Sequence, residues 1–221
     1  MTTLFDYLPT SLPTEHASKH AREFAPAAWP FDGLAPQSYR VILSDPPWRF
    51  ALYSTKGERK SPQAHYSCMD LRQIQGLPVG ELAHPAGAVC IMWATAPMLP
   101  QAITTLGAWG FTYKSAGAWA KQSSTGRSLA FGPGYIYRSA AEFWLIGTIG
   151  KPVQLSRSIR NLILAPRREH SRKPDQMRSD LEIMFDGPRC ELFARETAPG
   201  WSAWGNQTDK FSAKGDDDGE P

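Results

Sequence analysis

The sequence predicts an α/β fold in which a mostly parallel β-sheet is covered by helices on both faces, as a three-layer α/β/α sandwich. Short, continuously apolar segments alternate along the chain with amphipathic segments of helical spacing. Continuous apolar runs are typical of strands buried on both faces, and their alternation with helices is typical of parallel connections. The 221 residues are sufficient for one domain with its own hydrophobic core.

The individual elements follow from two patterns. Strands are predicted where short apolar runs end in Pro, Gly or polar residues. Helices are predicted where apolar residues recur every three or four positions and Gly or Pro marks the ends. The predicted strands are 40–44, 88–93, 115–120, 142–146, 162–164, 190–194 and 202–204, and the predicted helices are 71–74, 98–106 and one that begins at Pro174.

The two ends of the chain lack these patterns. Residues 1–28 mix polar residues with scattered prolines and are predicted to form a loosely ordered arm. Residues 211–221 are predicted to be a disordered acidic tail. The folded domain is therefore expected to span residues 29–210.

Composition narrows the class of protein. A hydrophobic content of 42% with 20% charged residues is typical of a soluble globular protein. The sequence contains neither an apolar run long enough to span a membrane nor an N-terminal secretory pattern, so a cytoplasmic protein is expected. Three cysteines without a CxxC pair argue against a disulfide framework and a zinc site, and no metal is expected.

Positive charge is concentrated in one stretch. Residues 151–178 contain eight Lys and Arg but only two Asp and Glu. A local basic stretch is what contact with a phosphate backbone requires, although a solvated basic loop explains the charge equally well.

The first predicted strand ends in Asp45-Pro46-Pro47-Trp48, at the edge of the sheet where open α/β folds bind ligands. Two consecutive prolines restrict the backbone and remove two N–H donors, while their carbonyls remain acceptors. The segment thus presents a carboxylate, a rigid carbonyl and an aromatic ring together. A turn that merely ends the strand is the alternative, which the tryptophan and the preceding buried strand disfavour.

This tetrapeptide resembles the Asp/Asn-Pro-Pro-aromatic motif of amino-group methyltransferases that act on nucleic acids. From about residue 29 to about residue 209 the sequence is similar to the MT-A70 family of adenine methyltransferases. The other motifs that carry the resemblance are His65-Tyr66, Met92-Trp93-Ala94-Thr95, Trp109-Gly110-Phe111, Trp119-Ala120-Lys121, Glu142 with Leu145-Ile146-Gly147, Ser171-Arg172-Lys173-Pro174-Asp175, Glu191-Leu192-Phe193-Ala194-Arg195 and Trp204-Gly205-Asn206-Gln207.

The resemblance implies a Rossmann-like methyltransferase domain in permuted order, with the catalytic motif before the cofactor-binding strand at 190–195. It implies S-adenosylmethionine as cofactor and the N6 amine of adenine as methyl acceptor. Asp45 and the Pro46 carbonyl would each accept a hydrogen bond from the amine, which draws the nitrogen toward tetrahedral geometry and frees its lone pair. The implied catalytic segment is Asp45, Pro46, Pro47 and Trp48, and the implied substrate-binding residues are Tyr66, Trp119, Lys121 and Glu142.

Trp48 of the catalytic segment is expected to stack on the target base. Tyr66, outside this segment, resembles the family's mobile tyrosine that contacts the base. On the cofactor side, Lys173 is expected to pair with the methionine carboxylate, helped by the positive end of the following helix. Asn206 and Gln207 resemble the pair that hydrogen-bonds the ribose hydroxyls. Arg195 and Asp45 are expected to border the same cofactor site.

The chain departs from the eukaryotic mRNA methyltransferase after Arg195. It reads Glu196-Thr197-Ala198 where that enzyme has a histidine–asparagine contact, so completion of the ribose site is expected to differ.

The substrate is predicted to be nucleic acid, with the target adenine flipped out of a duplex or taken from a single strand. DNA is the first choice because the chain is small and lacks added RNA-binding modules. The alternatives are RNA adenine methylation, a catalytically silent nucleic-acid-binding homologue and methylation of another amine, such as a glutamine side chain. No membrane partner is expected, and both a monomer and a homodimer are compatible with the sequence.

Overall fold

The computed structural model describes residues 28–48, 69–134, 136–168 and 172–210. The predicted acidic tail, Tyr66 and nearly all of the predicted N-terminal arm lie outside the described residues. The described part from Phe31 onward belongs to one compact unit, and the exact limits proposed for the domain stay a prediction.

A seven-stranded sheet forms the centre of this unit. Its strands are β1 (Val41–Ser44), β2 (Gly87–Ala94), β3 (Thr112–Gln122), β4 (Ala141–Gly150), β5 (Leu162–Pro166), β6 (Arg189–Leu192) and β7 (Trp201–Trp204). Their order across the sheet is β5-β3-β4-β2-β1-β6-β7. All predicted strands are present, most of them longer than the apolar run that predicted them.

The predicted mostly parallel sheet is confirmed, with one reversed strand. β1 pairs in parallel with β2 and β6, β6 with β7, and β3 with β5. β4 lies between β2 and β3 and is antiparallel to both. The first residues of β4 therefore share an edge with the last residues of the other strands.

Three helices follow the predicted positions: α1 (Leu71–Gln75), α2 (Leu99–Ala108) and α3 (Gln176–Met184). α1 begins with a capping box, in which Asp70 accepts from a backbone N–H and Gln73 accepts from the Asp70 N–H. α2 continues through Gly107, which was predicted to end it, and α3 begins two residues after Pro174. Within the described ranges, the helices are too short or too polar to cross a membrane.

Two hydrophobic clusters form on opposite faces of the sheet, because alternate residues of each strand point to opposite sides. Ile42 of β1 packs in the cluster that contains Leu106 of α2. Leu43 packs in the cluster that contains Met177 and Leu181 of α3. The three-layer architecture is confirmed by this division.

Cys90 and Cys190 belong to the α2-side cluster and are fully buried. Burial raises the pKa of both thiols. They act as small core residues.

Replacing Gly117 by alanine is expected to destabilise the fold by about 1–3 kcal/mol through overpacking. Gly117 pairs with Trp144 across β3 and β4, and a Cβ there would lie 2.3 Å from the indole. Gly107→Ala is the control: a Cβ at this position of α2 meets open space, so it should stabilise by about 0.5–1 kcal/mol. Urea unfolding measures both, and equal stability of the two variants would contradict the packing.

Candidate active site

Charged side chains from four segments meet at the edge formed by the carboxyl ends of β1, β2 and β3. Lys173, just before α3, places its Nζ 2.7 Å from Asp45 Oδ2 and 3.5 Å from Glu142 Oε2. Lys121, near the end of β3, places its Nζ 2.6 Å from Glu142 Oε1. These four side chains are each about one-fifth exposed and form one alternating chain of charges, Asp45–Lys173–Glu142–Lys121.

Tryptophan rings lie beneath both lysines. The Lys173 ammonium is 5.5 Å from the centre of the Trp93 ring, and the Lys121 ammonium is 5.2 Å from that of Trp119. Trp93 also contacts Trp119 and Trp144 edge to face. Cation–π attraction of this kind contributes about 0.5–2 kcal/mol per pair, so the indoles help to hold both cations at the edge.

The charged side chains at this edge shift one another's pKa values. Burial alone would lower the pKa of Lys173, but Asp45 and Glu142 outweigh it and raise that pKa above its usual value. Burial alone would raise the pKa of Glu142, but Lys173 and Lys121 lower it to about 2. Lys173 and Glu142 are therefore both charged at neutral pH.

Arg168 holds the backbone that carries Lys173. Its guanidinium makes two hydrogen bonds to the Asp175 carboxylate, at 2.6 and 2.8 Å, and a third to the Lys173 carbonyl. A planar guanidinium that binds both Lys173 and Asp175 restrains the short segment between them more firmly than a single contact. This clamp directs Lys173 toward Asp45.

The Asp45-Pro46-Pro47-Trp48 segment is anchored by its own backbone. The Asp45 N–H lies 3.4 Å from the Leu192 carbonyl of β6, and the Pro47 carbonyl accepts from Met69 at 3.1 Å. The Pro46 carbonyl already accepts the Trp48 N–H at 2.8 Å. A carbonyl oxygen has two lone pairs, so Pro46 retains capacity for one further donor.

The structure places Trp48 in the core rather than on the surface. Its side chain is 5% exposed, and its indole N–H donates to the Trp93 carbonyl at 3.0 Å. The expectation of an open stacking face is therefore not met in this conformation. Trp119 is also buried, with its indole N–H bonded to the Ala165 carbonyl, so contact of either ring with substrate stays a prediction.

A cleft opens beside Lys173. Its lining includes Phe193, which follows β6 with a φ of +60°. Such a sparsely populated backbone conformation persists only where the surrounding structure holds it. Gly205 secures this turn, because a Cβ there would lie 2.4 Å from the Ala194 carbonyl oxygen. The residues that line the cleft are Leu43, Asp45, Trp93, Arg172, Lys173, Pro174, Met177, Arg178, Glu191, Phe193, Arg195 and Glu196.

A second group of charged side chains also lines the cleft. Arg178 of α3 donates to Glu191 of β6 at 2.8 Å and to Glu196 at 2.9 Å. Arg172 also donates to Glu196 at 2.9 Å. Burial raises the pKa of Glu191, against the opposing effect of Arg178. The departure noted at Glu196 thus supplies a carboxylate that joins two arginines.

Apart from Trp119 and the Pro46-Pro47-Trp48 segment described above, the predicted site residues divide into three sets. Asp45, Lys121, Glu142, Lys173 and Arg195 come together at the edge and cleft. Asn206 and Gln207 lie in the turn that follows β7, outside the cleft lining, and their ribose contacts stay a prediction. Tyr66 lies outside the described residues.

The basic wall predicted for residues 151–178 is only partly formed. Lys173, Arg172, Arg168 and Arg178 are engaged with carboxylates of the same chain. Arg157 belongs to the connection between β4 and β5, which packs on the end of α3 through a Leu155–Met184 hydrogen bond. Most of this stretch therefore supports the cleft or lies away from it.

Sequence reasoning included Trp93, Glu191 and Phe193 only in family motifs and Arg178 only in the basic stretch, and it gave none of them an individual role. A charged residue within the apolar run 190–194 was the available signal for Glu191. No comparable signal marked Trp93 as the ring beneath Lys173, since its strand is apolar throughout.

A mixed sheet with a charged cleft and an Asp-Pro-Pro-Trp segment at its carboxyl edge defines a Rossmann-like methyltransferase of the amino-group class. The MT-A70 family profile matches residues 39–207. The chain therefore belongs to the MT-A70 family, which its sequence resemblance predicted, and methylation of the adenine N6 amine is the activity that this membership supports.

Known relatives agree with this assignment. The chain is 30% identical to the type II methyltransferase M.MunI of Mycoplasma sp over 80% of this chain and 82% of the relative. It is 29% identical to a putative N(6)-adenosine-methyltransferase MT-A70-like protein of Medicago truncatula, of which it covers 26%. It is 26% identical to the human N(6)-adenine-specific methyltransferase METTL4, of which it covers 38%.

Glu142→Gln is expected to remove an acid-sensitive part of the stability. The pKa of Glu142 in the folded protein, about 2, lies below its ordinary value of 4.5. Its ionised form therefore stabilises the fold above pH 4.5, and this contribution is lost as pH falls toward 2. The variant should be about 2–3 kcal/mol less stable at pH 7, with the difference shrinking between pH 4.5 and 2. Urea unfolding across pH tests this, with the exposed Glu81→Gln as control, and a pH-independent difference would contradict the pairing.

Proposed function

We propose that this protein transfers a methyl group from S-adenosylmethionine to the N6 amine of adenine in DNA. The observation that carries the proposal is the way Lys173 holds Asp45. Asp45 Oδ2 is bound to the Lys173 ammonium, whereas Oδ1 has no hydrogen-bond partner among the described residues. An oriented carboxylate with one open oxygen, next to the Pro46 carbonyl, is the acceptor pair that the adenine amine requires.

The preference for DNA rests on the relatives. M.MunI is named a type II methyltransferase and is matched over most of its length. The plant relatives are named for adenosine, a ribonucleoside, and are matched over about a quarter of theirs. RNA adenine methylation uses the same chemistry and is the second candidate.

The cleft residues fit the proposed cofactor. The methionine end of S-adenosylmethionine carries a carboxylate and an ammonium, and the cleft offers Lys173 beside the start of α3 together with the carboxylate of Glu191. The positive end of the helix favours an anion at the same point. Bound there, the cofactor would supply a methyl group on a positively charged sulfur.

The chain's own contribution is positioning and electrostatics. Asp45 and the Pro46 carbonyl would accept the two amine protons, which localises the nitrogen lone pair for attack. Their attraction strengthens as the nitrogen becomes positive, so it favours the transition state over the bound substrate. The methylated nitrogen then loses a proton readily, and Asp45 need not be a strong base.

The decisive experiment is mass spectrometry of nucleosides after incubation with isotope-labelled S-adenosylmethionine and matched DNA and RNA of the same sequences. We expect labelled N6-methyldeoxyadenosine from DNA. Label in RNA alone would overturn the choice of DNA. No labelled nucleoside from either, although the protein binds the cofactor in isothermal titration, would favour the silent homologue.

Asp45→Ala is expected to lower methyl transfer by at least about 10²–10³-fold, the scale seen when one preorganised group is removed from a reaction centre. The fold should persist because Lys173 retains Glu142 as a partner. Asp186→Ala is the control, since Asp186 is exposed and follows α3. Methylation by the Asp45 variant at the control's rate, with equal thermal unfolding, would refute the assignment.

A further inference from the structure

The connection between β3 and β4 exposes large apolar side chains to an unusual degree. Leu129 and Phe131 are 59% and 61% exposed, and Ile136 and Tyr137 are 82% and 87% exposed. Four such exposed side chains lie within nine residues of one connection. Surfaces of this kind mark interaction sites rather than ordinary solvent-facing loops.

This connection, residues 123–140, is here called the rim hairpin. A backbone hydrogen bond from the Gly132 N–H to the Ser139 carbonyl at 2.8 Å joins its two sides. The Ala130 N–H donates to the carbonyl of Lys121 in β3 at 2.8 Å, which ties the hairpin to the sheet. Gly134 lets the tip turn tightly, because a Cβ there would clash with the Tyr137 carbonyl. The two hydrogen bonds restrain the backbone on either side of Phe131, which lowers the entropy cost of binding through this ring.

The charge on the rim hairpin indicates the chemistry of its partner. Residues 123–140 contain Arg127 and Arg138 and no acidic residue. The Arg138 guanidinium lies 5.3 Å from the centre of the exposed Phe131 ring. Arg167 joins the base of the hairpin, where its N–H donates to the Gln122 carbonyl at 3.0 Å. Aromatic rings interleaved with arginines fit a nucleic-acid strand, whose bases stack and whose phosphates are anionic.

The rim hairpin also lies next to the proposed reaction centre. It leaves the sheet directly after Lys121 and Gln122 and returns at Ala141 and Glu142. The Lys121–Glu142 ion pair thus closes the base of the hairpin. A strand whose adenine reaches Asp45 must cross the same edge of the sheet.

We propose that the rim hairpin binds the nucleic-acid strand beside the target adenine. Tyr137 and Phe131 stack on bases that lose a neighbour when the adenine leaves the helix, and Arg127 and Arg138 contact the adjoining phosphates. This inference rests on the proposed function and extends it with the residues that position the substrate. The hairpin touches no reacting atom and is a positioning element.

The stacking role is tested by binding of a short fluorescein-labelled DNA, single-stranded and duplex, measured by fluorescence anisotropy at low salt. Phe131→Ala with Tyr137→Ala should weaken binding about tenfold or more, the scale of base–aromatic stacking. Tyr113→Ala is the matched control, because Tyr113 is an exposed tyrosine at the start of β3, the other end of the same strand. Equal affinity of the hairpin variant and the control would overturn the proposal.

The phosphate role has a separate readout. Each phosphate contact to duplex DNA adds about 0.9 to the slope of log affinity against log salt concentration. Arg127→Gln with Arg138→Gln should lower that slope by about 2 units, whereas Arg157→Gln, on the β4–β5 connection, should leave it unchanged. An unchanged slope in the double variant would contradict the proposed phosphate contacts of Arg127 and Arg138.

These measurements separate the proposal from the proposed function. Hairpin-dependent DNA binding by a protein that methylates neither DNA nor RNA would refute the function and leave the hairpin assignment standing. Normal KM and kcat in the hairpin variant of an active enzyme would refute the hairpin assignment alone. If the exposed hairpin residues bind another protein chain instead, the hairpin variant would differ from the unmodified protein in molar mass, measured by light scattering, and would keep its DNA affinity. That outcome would also overturn the proposal.

Discussion

The arrangement of this protein depends on one ammonium group placed between two carboxylates. Lys173 joins Asp45, which follows β1, to Glu142, which begins β4, although these strands are separated in the sheet by β2. A largely buried lysine is stable only when its charge is compensated, and a carboxylate beside it is subject to the same constraint. The edge of the sheet, the start of α3 and the Asp45-Pro46-Pro47-Trp48 segment are thus tied to each other by a single requirement of charge compensation.

The same requirement explains the cleft. Asp45 and Lys173 line the cleft together with Glu191, Glu196, Arg172 and Arg178. Glu142 and Lys121 continue the chain of charges along the edge of the sheet. Four of the eight basic residues in the stretch 151–178 are paired with carboxylates of the same chain. The cleft therefore offers both signs of charge to a zwitterionic ligand instead of a uniformly positive field.

The strands and helices could be predicted from the sequence, because apolar runs and helical spacing are local patterns. They located the strands, the helices and the residues at the strand ends, and the family motifs identified Asp45 and Lys173 together. The reversal of β4 was not predicted, since a buried apolar run has the same appearance in either direction. The burial of Trp48 and Trp119 was missed because it depends on carbonyls of Trp93 and Ala165 that no local pattern links to them. Asp45 and Lys173 are 128 positions apart in the sequence. Their ion pair likewise depends on the order of the strands in the sheet, which no local pattern shows.

The reversed strand has a further consequence for how such a protein diversifies. A strand parallel to β3 would need a crossover along the face of the sheet, whose length and shape the core would constrain. Because β4 is antiparallel, its connection to β3 is a hairpin at the edge of the sheet. Under the role proposed for the rim hairpin, a change in its length or composition would alter recognition of the substrate without moving Asp45, Glu142 or Lys173. Recognition and chemistry would then share one edge of the sheet but be encoded by separable parts of the chain.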